Sequence, residues 1–190
     1  RESSALVLDW LTYLRLPSSE VRLPGADRRT TPSPTQGHGL TRVRATGMRF
    51  SDEPSLQVLH LERPHPRETM CGDMAMIVRR DGRIRVAIAD GLGHGPQARE
   101  AADVTTRWLR ASAKESLEEA VLTAHENAAS TRGTTLGIAE LDLKTQTVTA
   151  TTIGNVRVGI YQNTGRLWSP CGTDAVLGHG RGSFHGKLDV

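Results

Sequence analysis

Aromatic residues and cysteines are scarce in this chain of 190 residues. Aromatic side chains make up only 4% of the sequence, so a hydrophobic core must be built mainly from aliphatic residues. The two cysteines, Cys71 and Cys171, form neither a metal-binding motif nor a disulfide framework. Because this usage is typical of a reducing compartment, we expect a cytoplasmic protein.

Long apolar runs and a strong charge imbalance are also missing. No hydrophobic stretch approaches the length of a membrane span, and the N-terminus lacks the apolar segment of a signal peptide. The formal net charge of +3 is small and the basic residues are dispersed, unlike those of a nucleic-acid-binding surface. We therefore expect neither a membrane nor a nucleic acid as a partner. The length is sufficient for one domain with a substantial core.

The most informative stretch, residues 71–98, contains a hairpin pattern. Apolar residues precede the dipeptide Asp81-Gly82, and apolar residues alternate with others after it. Asp73 enters the first predicted strand and Asp90 leaves the second, and the two strands are about equally long. Because the far ends of equal antiparallel strands lie side by side, we expect these two carboxylates at neighbouring positions, about 5 Å apart.

Two carboxylates at that separation repel each other unless a cation lies between them. Asp90 is followed by Gly91, Gly93 and Gly95, whose backbone can fold tightly and turn carbonyl oxygens toward a metal ion. Hard oxygen ligands suit Mg²⁺ or Mn²⁺. From the spacing alone, two interpretations remain open: a metal site, or a plain turn between a strand and a helix with solvated aspartates.

Two motifs in this stretch resemble those of a known family. Gly72-Asp73, followed by Ala89-Asp90-Gly91-Leu92-Gly93-His94-Gly95, is similar to the metal-dependent (PPM) Ser/Thr protein phosphatases, in their SpoIIE/RsbX-like bacterial branch. The resemblance covers roughly residues 47–190 and implies an α+β fold of two packed antiparallel β-sheets flanked by α-helices. It also implies that Asp73 and Asp90 are catalytic, and that Asp73, Asp90 and the Gly91 carbonyl bind two Mn²⁺ or Mg²⁺ ions.

The resemblance further implies hydrolysis of phosphoserine or phosphothreonine on a bacterial regulatory protein in stress or sigma-factor signalling. The expected partner is phosphorylated, such as an anti-sigma antagonist or a stressosome-like protein. Family members carry two more acidic sites downstream, whereas after Val156 this chain offers only Asp174 and Asp189, neither in a matching motif. We therefore expect part of the metal site to be missing and the domain to be incomplete at its C-terminus. The alternative function is a non-catalytic signalling module that binds a partner protein with the same fold.

The segment before this domain is predicted to be separate from it. Apolar residues at helical spacing predict a short amphipathic helix within residues 1–16. Residues 17–45 are rich in proline, glycine and polar side chains, which predicts a weakly ordered linker. The resulting division is an N-terminal helix and linker over residues 1–46 and a phosphatase domain over residues 47–190.

Further elements follow from hydrophobic periodicity. Helices are predicted over residues 96–111 and 116–129, the second with a capping box at Ser116, and strands over 134–141, 147–153 and 156–161. For His65 and Arg67 we favour solvated loop positions over contact with a phosphate. His125 is interpreted as a partly exposed helix residue, and Asn155 as a turn residue that tolerates positive φ.

Overall fold

The computed structural model describes residues 4–8, 12–15, 44–49, 57–62, 64–145, 147–162, 167–168 and 173–180. This part of the chain consists of antiparallel strands and two helices. In chain order the elements are β1 (Ser4–Leu8), β2 (Thr12–Arg15), β3 (Arg44–Arg49), β4 (Gln57–Glu62), β5 (Asp73–Arg80), β6 (Arg83–Gly91), α1 (Pro96–Ala111), α2 (Leu117–Ala128), β7 (Thr134–Asp142), β8 (Thr147–Ile153), β9 (Val158–Gln162) and β10 (Leu167–Trp168).

The strands form two sheets. The larger has six strands in the order β10-β9-β1-β2-β4-β3, and the smaller has four in the order β5-β6-β7-β8. Every strand pair in both sheets is antiparallel. The arrangement agrees with the predicted α+β class and its two antiparallel sheets.

The predicted N-terminal helix is wrong, because the chain forms β1 and β2 there. β1 pairs with β2 and with β9, and β2 also pairs with β4. Apolar spacing does not separate helix from strand over so short a segment, and pairing with distant strands decides the outcome. The larger sheet therefore draws strands from both sides of the predicted boundary at residues 46 and 47, which β3 itself crosses. Residues 17–43 of the predicted linker lie outside the described residues.

The smaller sheet contains the predicted hairpin. β5 and β6 are joined by Asp81 and Gly82, both at positive φ (52° and 83°), as a tight hairpin turn requires. The predicted strand over residues 147–153 is β8, and the one over 134–141 extends by one residue as β7. β6 lies between β5 and β7 and is buried along most of its length.

Two hydrophobic clusters hold the layers together. One joins the smaller sheet to β9 of the larger sheet; its buried members are Ile84, Val86, Ile88, Ala139, Leu141, Ala150, Val156, Val158 and Ile160. The other joins the opposite face of the smaller sheet to α1 and α2, with members such as Met76, Leu109, Val121 and Leu136. Within the described part of the chain neither cluster contains an aromatic side chain, in line with the composition.

Both predicted helices are confirmed. α1 begins at Pro96, and α2 begins after Ser116, which forms the predicted capping box with Glu119. The Ser116 hydroxyl accepts a hydrogen bond from the Glu119 N–H (3.2 Å), and the Glu119 carboxylate accepts one from the Ser116 N–H (3.0 Å). Neither α1 nor α2 has the length and apolar composition needed to span a bilayer.

A buried arginine of β6 ties the turn between α1 and α2 to the sheet. The Arg85 side chain is 2% exposed and lies beside Glu140 of β7 in the strand register. Its guanidinium donates hydrogen bonds to the Glu140 carboxylate (2.8 and 2.6 Å) and to the backbone carbonyls of Ser112 (3.0 Å) and Glu115 (2.8 Å). The chain between the helices is thereby fixed on the sheet.

Candidate metal centre

Two carboxylates meet at the open end of the β5–β6 hairpin. Asp73 is the first residue of β5, Asp90 is the next-to-last residue of β6, and the strand register places them directly opposite each other. Residues opposite each other in an antiparallel pair project to the same face, about 5 Å apart. The predicted juxtaposition of Asp73 and Asp90 is confirmed.

Their electrostatic environment is unfavourable for two negative charges. The pKa of Asp90 is raised to about 7, first because the carboxyl is partly buried and second because the Asp73 charge and a hydrogen bond with Asp73 favour its protonated form. A cation bound between the two carboxylates would reverse this effect by favouring the ionised form. The pair therefore has the electrostatics of a cation site.

Asp73 is held in place by neighbours on two sides. The Arg99 guanidinium of α1 donates a hydrogen bond to the Asp73 backbone carbonyl (3.2 Å). The thiol of Cys71 is buried and donates a weak hydrogen bond to the Asp73 carboxylate (3.5 Å). From the sequence alone, Cys71 was used only as an indicator of a reducing compartment. Its contact with Asp73 depends on the orientation of the side chains, which residue spacing does not reveal.

Gly91 occupies the junction between the aspartate pair and α1. It is buried, and its N–H donates a hydrogen bond to the Gly72 carbonyl (3.3 Å). A Cβ atom at Gly91 would overlap the backbone of Ala98 in the first turn of α1. Only glycine therefore lets α1 approach this end of β6 so closely. The role of the Gly91 carbonyl as a metal ligand stays a prediction.

The oxygen atoms of Asp73, Asp90 and Gly91 are of the kind that a hard divalent cation prefers, and they would supply part of its ligands. Carboxylate and carbonyl oxygens are the donors that Mg²⁺ and Mn²⁺ prefer, and each ion takes about six. Among the residues that the structure describes, no group of three or more His, Cys, Asp or Glu side chains could hold a metal ion. Asp174 is exposed and joins no such group, and Asp189 lies outside the described residues.

The loop after Asp90 is attached to the segment before β5 by a cluster of polar side chains. His94 Nδ1 donates a hydrogen bond to the Glu68 carboxylate (2.7 Å), and the His94 ring stacks on that of His65, with ring centroids 4.5 Å apart and planes 12° apart. His65 and Arg67 are exposed, as predicted, but sequence reasoning missed the stacking of His65. The sequence feature that could have indicated this cluster is the position of His94 within the glycine-rich motif.

Asn155 is hydrogen-bonded to Thr135, the residue opposite Asp90 in the neighbouring strand. Thr135 is opposite Asp90 in the β6–β7 register, and its hydroxyl donates a hydrogen bond to the Asn155 side-chain carbonyl (2.9 Å). The positive φ of the turn belongs to Gly154 (79°), so the explanation that Asn155 is there to tolerate positive φ is wrong. His125 is a partly buried helix residue whose Nδ1 accepts a hydrogen bond from the Gly178 N–H (3.1 Å).

Comparison with known proteins places the chain in a family. The family described as Stage II sporulation protein E (SpoIIE) matches residues 80–186, more than half of the chain. The chain belongs to the SpoIIE family of PPM phosphatases. The predicted resemblance is therefore confirmed.

A curated relative of this SpoIIE-family chain is the phosphoserine phosphatase RsbX of Bacillus subtilis (strain 168). It is 24% identical over 123 residues, which cover 65% of this chain and 62% of RsbX. The chain thus spans less than two thirds of the length of that relative.

Three solved structures share the fold. A chain from the study "The bacterial stressosome: a modular system that has been adapted to control secondary messenger signaling" is 29% identical with a TM-score of 0.61, over 67% of this chain and 65% of that one. RsbX in complex with magnesium is 20% identical with a TM-score of 0.69, over 77% and 72%. The PP2C phosphatase domain of SpoIIE from Bacillus subtilis is 13% identical with a TM-score of 0.50, over 97% and 60%. The last two likenesses show the fold, which is the predicted α+β phosphatase fold.

Proposed function

We propose that this SpoIIE-family chain takes part in the metal-dependent hydrolysis of phosphoserine or phosphothreonine on a bacterial regulatory protein in stress or sigma-factor signalling. The observation that carries the proposal is the pairing of Asp73 with Asp90 at the end of the hairpin, with a raised pKa at Asp90. The relationship to a phosphoserine phosphatase supports the choice of reaction. A cytoplasmic location and a phosphorylated, stressosome-like or anti-sigma-antagonist partner belong to the same proposal.

Asp73 and Asp90, with the Gly91 carbonyl, would hold Mn²⁺ or Mg²⁺ in this proposal. Such ions, when bound, polarise a phosphoryl oxygen and lower the pKa of a water molecule so that it can act as nucleophile. Asp73 is kept in position by Arg99 and Cys71, and the close packing of Ala98 against Gly91 fixes the end of β6. Because the Cys71 thiol is buried against a carboxylate, we assign it no nucleophilic role and propose no covalent intermediate.

One observation favours the alternative, a non-catalytic module that binds a partner protein. The part of the chain described by the structure brings together two carboxylates and no three-ligand group, whereas two hard cations need several anionic ligands. The two candidate functions share the partner and differ in whether phosphate is released.

The experiment that separates them measures Mn²⁺-dependent phosphate release from a phosphoserine peptide, using the longest natural form of the protein. Asp90→Asn removes one charge and keeps the shape of the side chain, so turnover should fall by orders of magnitude because charge stabilisation by the metal is a large catalytic term. Asp103→Asn is the matched control, since Asp103 is on α1 and pairs with Arg107 away from the hairpin end. Near-normal release by the Asp90→Asn variant would contradict the assignment, and no release by the wild type would favour the binding module.

A further inference from the structure

Arg132 lies in the turn between α2 and β7, at the same end of the smaller sheet as the aspartate pair. In the β6–β7 register Thr134 is opposite Gly91, and Arg132 comes two residues before Thr134 in the chain. Strand neighbours are about 5 Å apart and the rise is about 3.3 Å per residue, so the Cα atoms of Arg132 and Asp90 are on the order of 10 Å apart. An arginine side chain can span much of that distance.

The guanidinium of Arg132 rests against the loop that follows Asp90. Its Nη1 is 3.5 Å from the Leu92 carbonyl oxygen, and a Cβ atom at Gly93 would lie 2.8 Å from the same nitrogen. The contact with Leu92 is longer than an ordinary N–H···O hydrogen bond and is exposed, so a stronger acceptor can replace it. Among the described residues, no carboxylate forms an ion pair with Arg132.

The backbone that carries Arg132 is fixed independently of its side chain. The Arg132 carbonyl accepts a hydrogen bond from His179 Nε2 (2.9 Å), and the Gly133 carbonyl accepts one from the Leu92 N–H (3.1 Å). Gly133 has a φ of 84°, and a Cβ atom there would lie 2.6 Å from the side chains of His179 and Val176. The backbone of this turn is therefore constrained, and a substitution of the Arg132 side chain should leave the backbone conformation unchanged.

We infer that Arg132 binds the phosphoryl group of the substrate, an inference that rests on the proposed function. Any carboxylate charge at Asp73 and Asp90 that a bound cation leaves uncompensated repels a phosphate dianion, and a guanidinium at the rim of the site offsets that repulsion. The planar guanidinium can donate two parallel hydrogen bonds to phosphate oxygens. Arg99 already donates to the Asp73 backbone, whereas the contact that the described residues provide for the Arg132 guanidinium is the exposed, exchangeable one with the Leu92 carbonyl. Arg132 is thus assigned as a substrate-binding residue.

The test measures the binding of inorganic phosphate and the kinetics of a phosphoserine peptide in the presence of Mn²⁺. Arg132→Ala should weaken phosphate binding about tenfold, the lower end of the effect of a hydrogen bond to a charged group, and should raise KM more than it lowers kcat. Arg132→Lys should lose less, because it keeps the charge and loses the two-pronged geometry. Arg107→Ala is the control, since Arg107 pairs with Asp103 on α1, about three turns from the helix start. Melting temperatures should stay unchanged in all three variants.

Unchanged phosphate affinity in Arg132→Ala would overturn the inference, and so would an equal loss in Arg107→Ala, which would indicate a general charge effect. A raised KM for the peptide with unaltered phosphate affinity would also overturn it, because Arg132 would then contact the peptide outside the phosphoryl group. A wild-type protein that binds neither probe contradicts it as well. If the wild type binds phosphate, Arg132→Ala does not, and neither releases phosphate from the peptide, Arg132 keeps its assignment and the proposed hydrolysis fails.

Discussion

The two ends of β6 carry opposite kinds of cross-strand pair. Near its start, Arg85 faces Glu140 of β7, and the buried guanidinium is satisfied by that carboxylate and by two backbone carbonyls. Near its end, Asp90 faces Asp73 of β5, and two like charges share a partly buried position. Opposite charges across a strand pair stabilise a sheet, and like charges destabilise it. One strand thus combines a stabilising anchor with a destabilised site, a division common where a fold carries a function.

The largest expected effect comes from removing the anchor. Arg85→Ala leaves Glu140, whose side chain is 12% exposed, without its main partner, and it removes the guanidinium hydrogen bonds to the carbonyls of Ser112 and Glu115. Breaking a buried ion pair from one side should lower the free energy of unfolding by about 3 kcal/mol, measured by urea denaturation.

The matched control for that variant is Arg107→Ala, which removes an exposed pair on α1 and should cost less than about 0.5 kcal/mol. If the two variants lose equal amounts of unfolding free energy, the buried Arg85 pair stabilises the protein no more than the exposed pair on α1 does. The contrast between the two ends of the strand would then disappear.

An intermediate effect is expected at the junction of the site with α1. In Gly91→Ala the new methyl group overlaps the backbone of Ala98, so the helix or the strand end must shift, at a cost of about 2 kcal/mol in the free energy of unfolding. Gln97→Ala, one residue before Ala98 and exposed, is the control and should be neutral. If the Gly91→Ala midpoint in urea equals that of the wild type, close packing at this end is not required.

The smallest effect concerns the charge of the aspartate pair and has a defined pH dependence. Asp90 has a pKa near 7 in the folded chain and near 4 in the unfolded chain, so unfolding releases a proton between those values. The free energy of unfolding of the metal-free protein therefore falls as the pH rises from about 4 to about 7. The change is on the order of 1 kcal/mol, allowing for solvent screening at this partly exposed position.

Asp90→Asn removes this dependence. In the presence of a chelator, the variant should gain melting temperature relative to the wild type at pH 8, and gain less at pH 5. Added Mn²⁺ should stabilise the wild type more than the variant. If the difference in melting temperature between Asp90→Asn and the wild type is the same at both pH values, the charges of Asp73 and Asp90 do not destabilise the fold.

The elements that were predictable from sequence are those built from neighbouring residues. The Asp81-Gly82 turn and two strands of about equal length specify the register of Asp73 with Asp90, and the capping box specifies the start of α2. The pairing of β1 with β9 could not be predicted in the same way, because it joins two strands that are far apart in the sequence. The Arg85–Glu140 pair is separated by 55 residues, and no local pattern marks either partner.

The position of β1 between β9 and β2 has a consequence for biosynthesis. β1 ends at Leu8 and β9 begins at Val158, so about 150 residues (158 − 8) must be translated before β1 meets that partner. At translation rates of about 5–20 residues per second this takes roughly 8–30 seconds. During that interval one edge of β1 has unpaired backbone groups on a ribosome-bound chain, which is the kind of edge that pairs with other chains. The hairpin with the two aspartates can form earlier, as soon as β6 has emerged.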